Sequence, residues 1–437
     1  MISVKDLKEN IGKKVTIQGF VDNIRDTKWV DFVILRDNTG MVQITVEKSV
    51  ESNKDMLDLL STLPLESTVK VEAEVVENEK VRLNGYELIP SSIEVTSTNT
   101  EELPFNFKDL ENVNLDTRID NRYIDLRNEK NMKIFQIQST LVRYMREYLY
   151  NNEFTEIHSP KLIGAASESG SEVFEVKYFD RKAYLAQSPQ FYKQMAMAAG
   201  FNRVFEVAPC FRAENSNTNR HTTEFTSFDV EFSYINSYDD VMNLEAEMLA
   251  YAFEKVKEKH GEDIKEIFGS ELIVPTLPFP TMRLSEVYEE LEKRYGYKID
   301  DSEKNDLTSE AERLVYKLAQ EKFNHEFMFI VDYPAEKRAF YHMRDENGKL
   351  QGYDLIWRGV EITTGAQREH RYDHITKVAK EKGLGDDVKF YLDFFKHGCP
   401  PHGGFAIGVD RLTMLMLNLP SLKESMFLFR GPNRLNP

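Results

Sequence analysis

The period of the hydrophobic positions changes along the chain. Up to about residue 95 it is two: "KKVTIQGFV", "DFVILRDNTGMVQITVEK" around a turn at Asp37–Gly40, "STVKVEAEVVE" and "GYELIPSSIEV" all alternate and are rich in β-branched residues. One stretch there, "NKDMLDLLSTL", spaces Met56, Leu57, Leu59 and Leu60 as a helix does. Five strands with a helix between the third and fourth is the order of an OB-fold barrel. Another small β-domain would show the same pattern.

Residues 104–131 lose the alternation and become dense in Asp, Asn and Arg, which predicts a hinge or linker. From Met132 the period becomes helical, with Ile134, Ile137, Leu141, Tyr144 and Tyr148 on one face, followed by a strand "FTEIHSP" that stops at Pro160. Strands are expected at "AYLAQ", "RVFEVAPCF", "FTSFDVEFSYI", "FMFIVDYP", "AFYHMR" and "YDLIWRGVEITTG", with a long helix at "DDVMNLEAEMLAYAFEKVKEK". Their hairpin-like spacing predicts an antiparallel sheet flanked by helices, an α+β domain over 132–437 behind a barrel over 1–103.

Composition changes this picture little. The 437 residues carry 30% charged and 41% hydrophobic positions and no apolar run long enough to span a membrane. The N-terminus has no apolar signal region, and two cysteines, Cys210 and Cys399, form no disulfide or metal framework, so a cytoplasmic setting is expected. A net charge of −17 excludes indiscriminate binding to nucleic acid, which needs a basic footprint. A nucleic-acid site in the barrel would have to use stacking and hydrogen bonds.

Chemistry concentrates in three segments. "PCFRAENSNTNRHTTEFTSFDVEF" places Arg212, Glu214, Arg220, His221, Glu224, Asp229 and Glu231 among alternating apolar residues. Unpaired buried charges are costly, so these groups either pair with one another or await an anionic ligand. Arginine forks suit phosphate and carboxylate, and Phe225 offers a stacking plane, which together describe a nucleoside-triphosphate site on a sheet. A salt-bridged surface hairpin would read the same way. In "YDLIWRGVEITTGAQREHRYD", Asp354 and Glu361 are seven apart and fall on opposite faces of a regular strand. A bulge near Arg358–Gly359 would restore one face and let both acids hold Mg²⁺. In "PPHGGFAIGVDRLTMLMLNL", Asp410 and Arg411 open an apolar helix, where an arginine adds to the positive end of the dipole.

"FRAE…RHTTEF", "GFAIGVDRL" and the helix–strand ending at Pro160 resemble motifs 2, 3 and 1 of class II aminoacyl-tRNA synthetases (about 203–233, 402–419 and 134–160). With "LAQSPQFYKQ", "GAQREHRYD", "PPHGGF" and the terminal "RGPNRLNP", the chain is similar to aspartyl-tRNA synthetases of the compact archaeal type, from barrel to C-terminus. The resemblance implies aspartate activation with ATP and Mg²⁺, transfer to tRNA(Asp) or also tRNA(Asn), and a homodimer formed through the Ile134–Pro160 element. It implies that Arg212 and Arg411 carry catalysis and that ATP meets Arg212, Glu214, Arg220, His221, Phe225, Glu361 and Arg411. Aspartate would meet Glu168, Ser188, Gln190, Lys193, Arg212, Asp229, Thr364, Arg368 and His402, with Lys193 and Arg368 pairing its side chain. Asp354, Glu361 and Thr364 would hold the metal, and Trp29, Phe32 and Gln43 the anticodon.

Two departures stand out. Thr364 stands where a serine often precedes the glycine, and Gly431 replaces an acid in the tail, which leaves the geometry around Arg430 open. Three alternatives compete: an asparaginyl enzyme, disfavoured by Lys193; a non-aminoacylating RNA-binding paralogue, disfavoured by the intact arginines; and an asparagine synthetase, which usually lacks the barrel.

Overall fold

The structure, a computed structural model, describes all residues except 168–171, 216–220, 301 and 385. Two compact units divide it, Met1–Asn106 and Phe107–Pro437.

The first unit is a closed five-stranded barrel of order β1-β2-β3-β5-β4. Its strands are β1 (Lys14–Asp26), β2 (Val30–Asp37), β3 (Gly40–Glu47), β4 (Thr68–Glu77) and β5 (Tyr86–Ser97), with helix α1 (Lys54–Thr62) between β3 and β4. Alternation builds it: in β4, Val69, Val71, Ala73 and Val75 are buried while Glu72 and Glu74 are exposed. A short 3₁₀ turn, Val4–Asn10, which the hydrophobic pattern did not announce, seals one end with Val4 and Leu7.

The second unit begins within the segment expected to be a hinge. Two short helices, α2 (Leu115–Asp120) and α3 (Arg122–Asp125), fold there onto the C-terminal tail. The reason is ionic: buried Arg122 pairs with Asp125 and donates to the carbonyls of Glu424, Met426 and Phe427. Helix α4 (Glu129–Asn151) buries Ile134, Ile137, Leu141, Met145 and Leu149 at helical spacing. Strands β6 (Thr155–Glu156), β7 (Leu162–Ile163), β8 (Glu175–Tyr178) and β9 (Arg181–Leu185) precede α5 (Gln190–Ala198).

Then come β10 (Arg203–Phe211), β11 (Glu224–Ser233) and α6 (Tyr238–Phe268), capped by Ser237 and closed by Gly269 at φ +62°. The chain continues through β12 (Thr281–Arg283), α7 (Leu284–Tyr295), α8 (Ser309–Phe323), β13 (Phe327–Val331), β14 (Gly352–Trp357) and β15 (Val360–Arg368). It ends with α9 (Tyr372–Glu381), α10 (Lys389–Leu392), β16 (His402–Gly408) and α11 (Val409–Met416).

Eight strands form the main sheet, in the order β12-β13-β14-β15-β16-β11-β10-β6. The six central strands are antiparallel, as the hairpin spacing predicts, but the edge strands β6 and β12 run parallel to their neighbours, so the sheet is mixed. Both edge strands enter from helices or loops rather than from a hairpin, which frees their direction. "AFYHMR" is not a strand; it makes only isolated bridges, His342 to Arg368 and Arg344 to Leu350. One face of the sheet carries Phe228, Val230, Phe405, Ile407, Tyr353, Leu355 and Trp357 against α4 and α6. Among the described residues no helix is long and apolar enough to cross a membrane.

The apolar face holds one acid. Glu245 of α6 is fully buried and accepts from the Tyr353 hydroxyl at 2.7 Å. Tyr353 passes beneath Gly365, where a Cβ would lie 2.3 Å from its ring. Burial pushes the Glu245 carboxyl up to about 7. An unfolded chain loses that proton near the ordinary carboxylate value while the fold keeps it, so stability falls as pH rises between the two. Such a gap corresponds to about 3 kcal/mol once complete. Glu245→Gln is therefore expected to match the parent at pH 4.5 and to resist urea better at pH 8, a comparison that unfolding curves at the two pH values check.

Candidate active site

The opposite face of the sheet is polar, and strand register makes it so. In β11, Phe225, Ser227, Asp229 and Glu231 point one way and Phe228, Val230 and Phe232 the other. One row of paired residues crosses the sheet from Asp229 through Ala406 and Thr364 to Asp354. Above it lies a cavity of about 490 Å³. Arg212, Arg368 and Arg411, separated by up to about two hundred positions in sequence, all line it, with Glu214, His221, Phe225 and Lys193.

At one end sits a buried ionic lattice. Lys193 Nζ lies 3.0 Å from Asp229 Oδ1 and 3.3 Å from Glu231 Oε2. Arg368 donates through Nε to Glu231 Oε1 at 3.1 Å and through a terminal nitrogen to the Gly404 carbonyl at 2.9 Å. All four side chains are at most 3% exposed. Burial opposes ionisation of Glu231, but Arg368 and Lys193 outweigh it and hold the carboxyl below its ordinary range. Of the two readings the charges of this segment allowed, pairing within the chain holds here: two acids already offset two cations. Gly404 makes room for this lattice, since a Cβ there would sit 2.0 Å from the Val230 carbonyl and 2.3 Å from Glu231.

Helix α5 delivers Lys193 together with an amide relay. Its buried face carries Gln190, Lys193 and Gln194, polar residues at helical spacing. Gln190 donates to Gln194 Oε1 at 2.7 Å, which also accepts from the Tyr391 hydroxyl at 2.9 Å. The Gln194 amide meets His402 Nε2 at 2.9 Å, while His402 Nδ1 lies 2.8 Å from the Pro400 carbonyl. Those partners fit a neutral ring with its proton on Nδ1, and burial lowers His402 to about 4. His402 is fully buried behind Gln194 and does not line the cavity. Ser188 does line it, and its hydroxyl accepts from the Gln190 backbone at 3.3 Å and lies 3.2 Å from Ser167 Oγ.

The other end is arginine-rich. Arg212 packs its guanidinium 5.2 Å from the centre of the Phe225 ring, and among the described residues its buried Nε has no hydrogen-bond partner. A charged donor so placed calls for an anionic oxygen. Arg411, one residue past Asp410 at the start of α11, donates to the Glu361 carbonyl at 2.8 Å. Buried Asp410 accepts from the Thr226 backbone at 3.0 Å and from Gln138 of α4 at 3.3 Å. Thr222 and Thr223, at the root of this segment, both donate to the Arg430 carbonyl. The altered tail is therefore packed on the site, and Gly431 lies close over Phe429, where a Cβ would sit 2.7 Å from the ring.

The bulge that unites the carboxylates lies elsewhere than expected. Leu355 pairs with Thr363 and Ile356 with Glu361, so Ile362 is the extra residue. Arg358 and Gly359, at φ +49° and +75°, instead make the two-residue turn between β14 and β15. The bulge puts Glu361 and Thr364 on the face of Asp354, and the Thr364 hydroxyl donates to Glu361 Oε1 at 3.0 Å. Burial and the neighbouring Asp354 push the Glu361 carboxyl up. Two carboxylates and a hydroxyl are hard oxygen donors that fit Mg²⁺ when phosphate oxygens complete the shell. Among the described residues no group of three acids, histidines or cysteines forms a metal site by itself.

Four participants escaped the sequence reading. Gln194 was signalled by its i+4 spacing from Gln190. Glu231, noted for its charge, had no assigned partner. Arg338, whose fork takes Asp354 at 2.9 and 2.5 Å, immediately precedes the segment misread as a strand, and His342, buried with Nδ1 unpartnered among the described residues, lies within it. Burial, with Arg368 next, lowers the His342 ring well below its ordinary value. Glu168 and Arg220 lie outside the described residues.

On the barrel, Phe32 and Gln43 share an outward face, since Phe32 pairs with Thr45 and Ile34 with Gln43. Arg25 lies 4.7 Å from the Phe32 ring centre. Gln43 donates to Glu87 Oε2 at 3.1 Å, and Asn78 to Glu87 Oε1 at 2.6 Å, so Glu87 joins the surface. Trp29 is 69% exposed in the β1–β2 turn, with Lys28 against its ring.

Comparisons agree with this geometry. Residues 114–430 match the family of class II tRNA synthetases (D, K and N), and residues 15–96 match the OB-fold nucleic acid binding domain. The chain is 42% identical to the aspartate–tRNA(Asp/Asn) ligase of Aeropyrum pernix, over 98% of its own length and 96% of the relative. It is likewise 42% identical to the aspartate–tRNA(Asp) ligase of Pyrococcus furiosus, covering 98% and 97%. A crystal structure of a putative aspartyl-tRNA synthetase from Leishmania major superposes with a TM-score of 0.90 at 32% identity, covering 100% of this chain and 95% of that one.

The lattice at Gly404 makes a stability prediction. Gly404→Ala is expected to cost at the upper end of roughly 1–3 kcal/mol. Gly408→Ala, on the same strand, would meet its nearest neighbour at an ordinary 3.7 Å and should change the denaturation midpoint little.

Proposed function

From a chain that belongs to the class II tRNA synthetases of the aspartate, lysine and asparagine group, we propose an aspartate–tRNA ligase: it activates L-aspartate with ATP and transfers it to tRNA(Asp). The observation that carries this reading is the pair Lys193 and Arg368, fixed by Glu231 and opening on the same cavity as Arg212 and Arg411. Two immobilised cations at the inner end suit a substrate whose side chain is an anion. A neutral amide replaces one of that side chain's acceptor oxygens by a donor, which would face Lys193 and Arg368 donor to donor, and a buried site penalises that strongly.

In this reading aspartate lies between α5 and β15, its ammonium toward Ser188 and Gln190 and its side chain toward Lys193 and Arg368. The relay from His402 and Tyr391 through Gln194 holds Gln190, and Asp229 holds Lys193. Phe225 and Arg411 enclose the adenine, Glu214 accepts from its amino group, and Arg220 and His221 reach the outer phosphates. Arg212 bridges the α-phosphate and the reacting carboxylate. An aspartate oxygen then attacks the α-phosphorus in line, the bond to the bridging oxygen breaks, and pyrophosphate leaves. The terminal adenosine hydroxyl of tRNA next attacks the adenylate carbonyl and releases AMP. No side chain acts as nucleophile; alignment and charge stabilisation carry both steps. Mg²⁺ held by Asp354, Glu361 and Thr364 would supply neutralisation of phosphate charge when bound.

Trp29, Phe32 and Gln43, joined by Glu87, form the anticodon surface. In this reading the groove of about 580 Å³ along α4, lined by Phe135, Val142, Arg143 and Tyr150, takes a second copy of the chain to form a homodimer, and the protein works in the cytoplasm. Whether tRNA(Asn) is also charged depends on the barrel surface; relatives of both kinds exist.

Pyrophosphate exchange into ATP is expected with aspartate and not with asparagine; the reverse would make the chain an asparaginyl enzyme, and no exchange with either would leave an RNA-binding paralogue. Lys193→Leu should lower kcat/KM for aspartate by about a hundredfold or more, the cost of unpaired buried charge, while ATP affinity stays within about threefold. Phe32→Ala should raise KM for tRNA by about tenfold, a stacking loss within roughly 1–3 kcal/mol, and leave aspartate-dependent exchange unchanged.

A further inference from the structure

The cavity holds one strong ion pair that the proposed chemistry does not use. Arg338 donates from its two terminal nitrogens to the two Asp354 oxygens, at 2.9 and 2.5 Å. Its guanidinium lies 4.0 Å from the centre of the Tyr333 ring, and the residue lines the cavity beside Glu361. Asp354 is 1% exposed, so its carboxylate depends on this fork for neutralisation. Resting on the metal reading above, we propose that Arg338 is the resident counter-ion of Asp354, occupying the carboxylate that a divalent cation needs and yielding it when nucleotide arrives.

Charge counting supports the exchange. Two acids, Asp354 and Glu361, face two cations, Arg338 and Arg411, so the chain leaves no surplus of negative charge at this end of the cavity. A divalent cation added by itself would leave at least two positive charges in excess in a confined space, where such an imbalance is strongly disfavoured. A nucleoside triphosphate brings the compensating negative charge. Metal and nucleotide should therefore bind together, and Arg338 is the group that enforces it.

The surroundings also provide for its movement. The same Arg338 nitrogen lies 3.8 Å from Asp306 Oδ1, on a half-exposed side chain at the rim, a second acceptor on the way out. Lys382 donates to the Arg338 carbonyl at 3.0 Å and to that of Glu336 at 2.6 Å, pinning the backbone so that the change is confined to the side chain. An arginine that leaves a carboxylate for phosphate oxygens keeps the same bidentate geometry.

The test is Mn²⁺ binding to the full-length protein, read from the electron paramagnetic resonance of free Mn²⁺, with and without a non-hydrolysable ATP analogue. The parent should bind Mn²⁺ at least tenfold more tightly with nucleotide than without. Arg338→Met should bind Mn²⁺ alone at least tenfold more tightly than the parent, with nucleotide adding less than threefold. Arg338→Lys keeps a charge without the fork and should gain at least threefold, which decides the matter if the methionine variant does not fold. Unchanged or weaker Mn²⁺ affinity in the folded variants overturns the proposal, as does parental binding that Asp354→Asn leaves untouched. Aspartate takes no part in this titration, so its outcome is separate from that of the exchange assay.

Discussion

Ionised groups that have lost their water must be compensated nearby, and the polar face of the eight-stranded sheet is arranged around that requirement. Glu231 is buried completely, yet two cations keep it ionised. Those cations come from α5 and β15, so one carboxylate on β11 ties three elements together. Apolar side chains would pack this region with less risk to stability. The charges are retained because their remaining donors and their field face a cavity.

Antiparallel register turns this local compensation into a site. Successive residues of β11 alternate between aromatic core and charged cavity wall, and the neighbours on β16 are Gly404, Ala406 and Gly408, too small to fill the space above. The single bulge at Ile362 then reverses the face of Glu361 relative to the strand beyond it. Without it, Glu361 and Thr364 would point to opposite sides, and the acids would be split between core and cavity. The same sheet therefore carries an apolar layer over α4 and α6 and an ionic layer one residue away.

The two ends of the cavity solve the compensation problem differently. At the inner end the partners are fixed, and Lys193, Asp229, Glu231 and Arg368 form a closed set that holds its shape. At the outer end Arg212 has a buried donor without a partner among the described residues, and the acid pair leans on arginines from two other segments. Fixed charge suits recognition of a small anion, whereas exchangeable charge suits a triphosphate whose charge changes as bonds break. The amide relay from Tyr391 and His402 belongs to the first kind, since every member is neutral and already paired.

Much of this was legible in the chain itself. The five barrel strands with their helix, the apolar face of α4, the β10–β11 hairpin and the arginines at 212, 368 and 411 follow from residue types at local spacing, because period, turn residues and charge act over a few positions. Other features were not legible. The bulge moved from Arg358–Gly359 to Ile362, since two positive-φ residues make a tighter turn than a bulge there. Residues around Arg338 and His342 alternate like a strand yet never join a ladder, because β14 and β15 pair with each other instead. Which acid takes which cation was equally hidden: Lys193 meets Glu231, and Arg338 meets Asp354, only once the sheet is assembled. Local sequence decided the elements and the chemistry they carry; the tertiary structure decided the pairings, because a buried charge is settled by whichever partner folding brings to it.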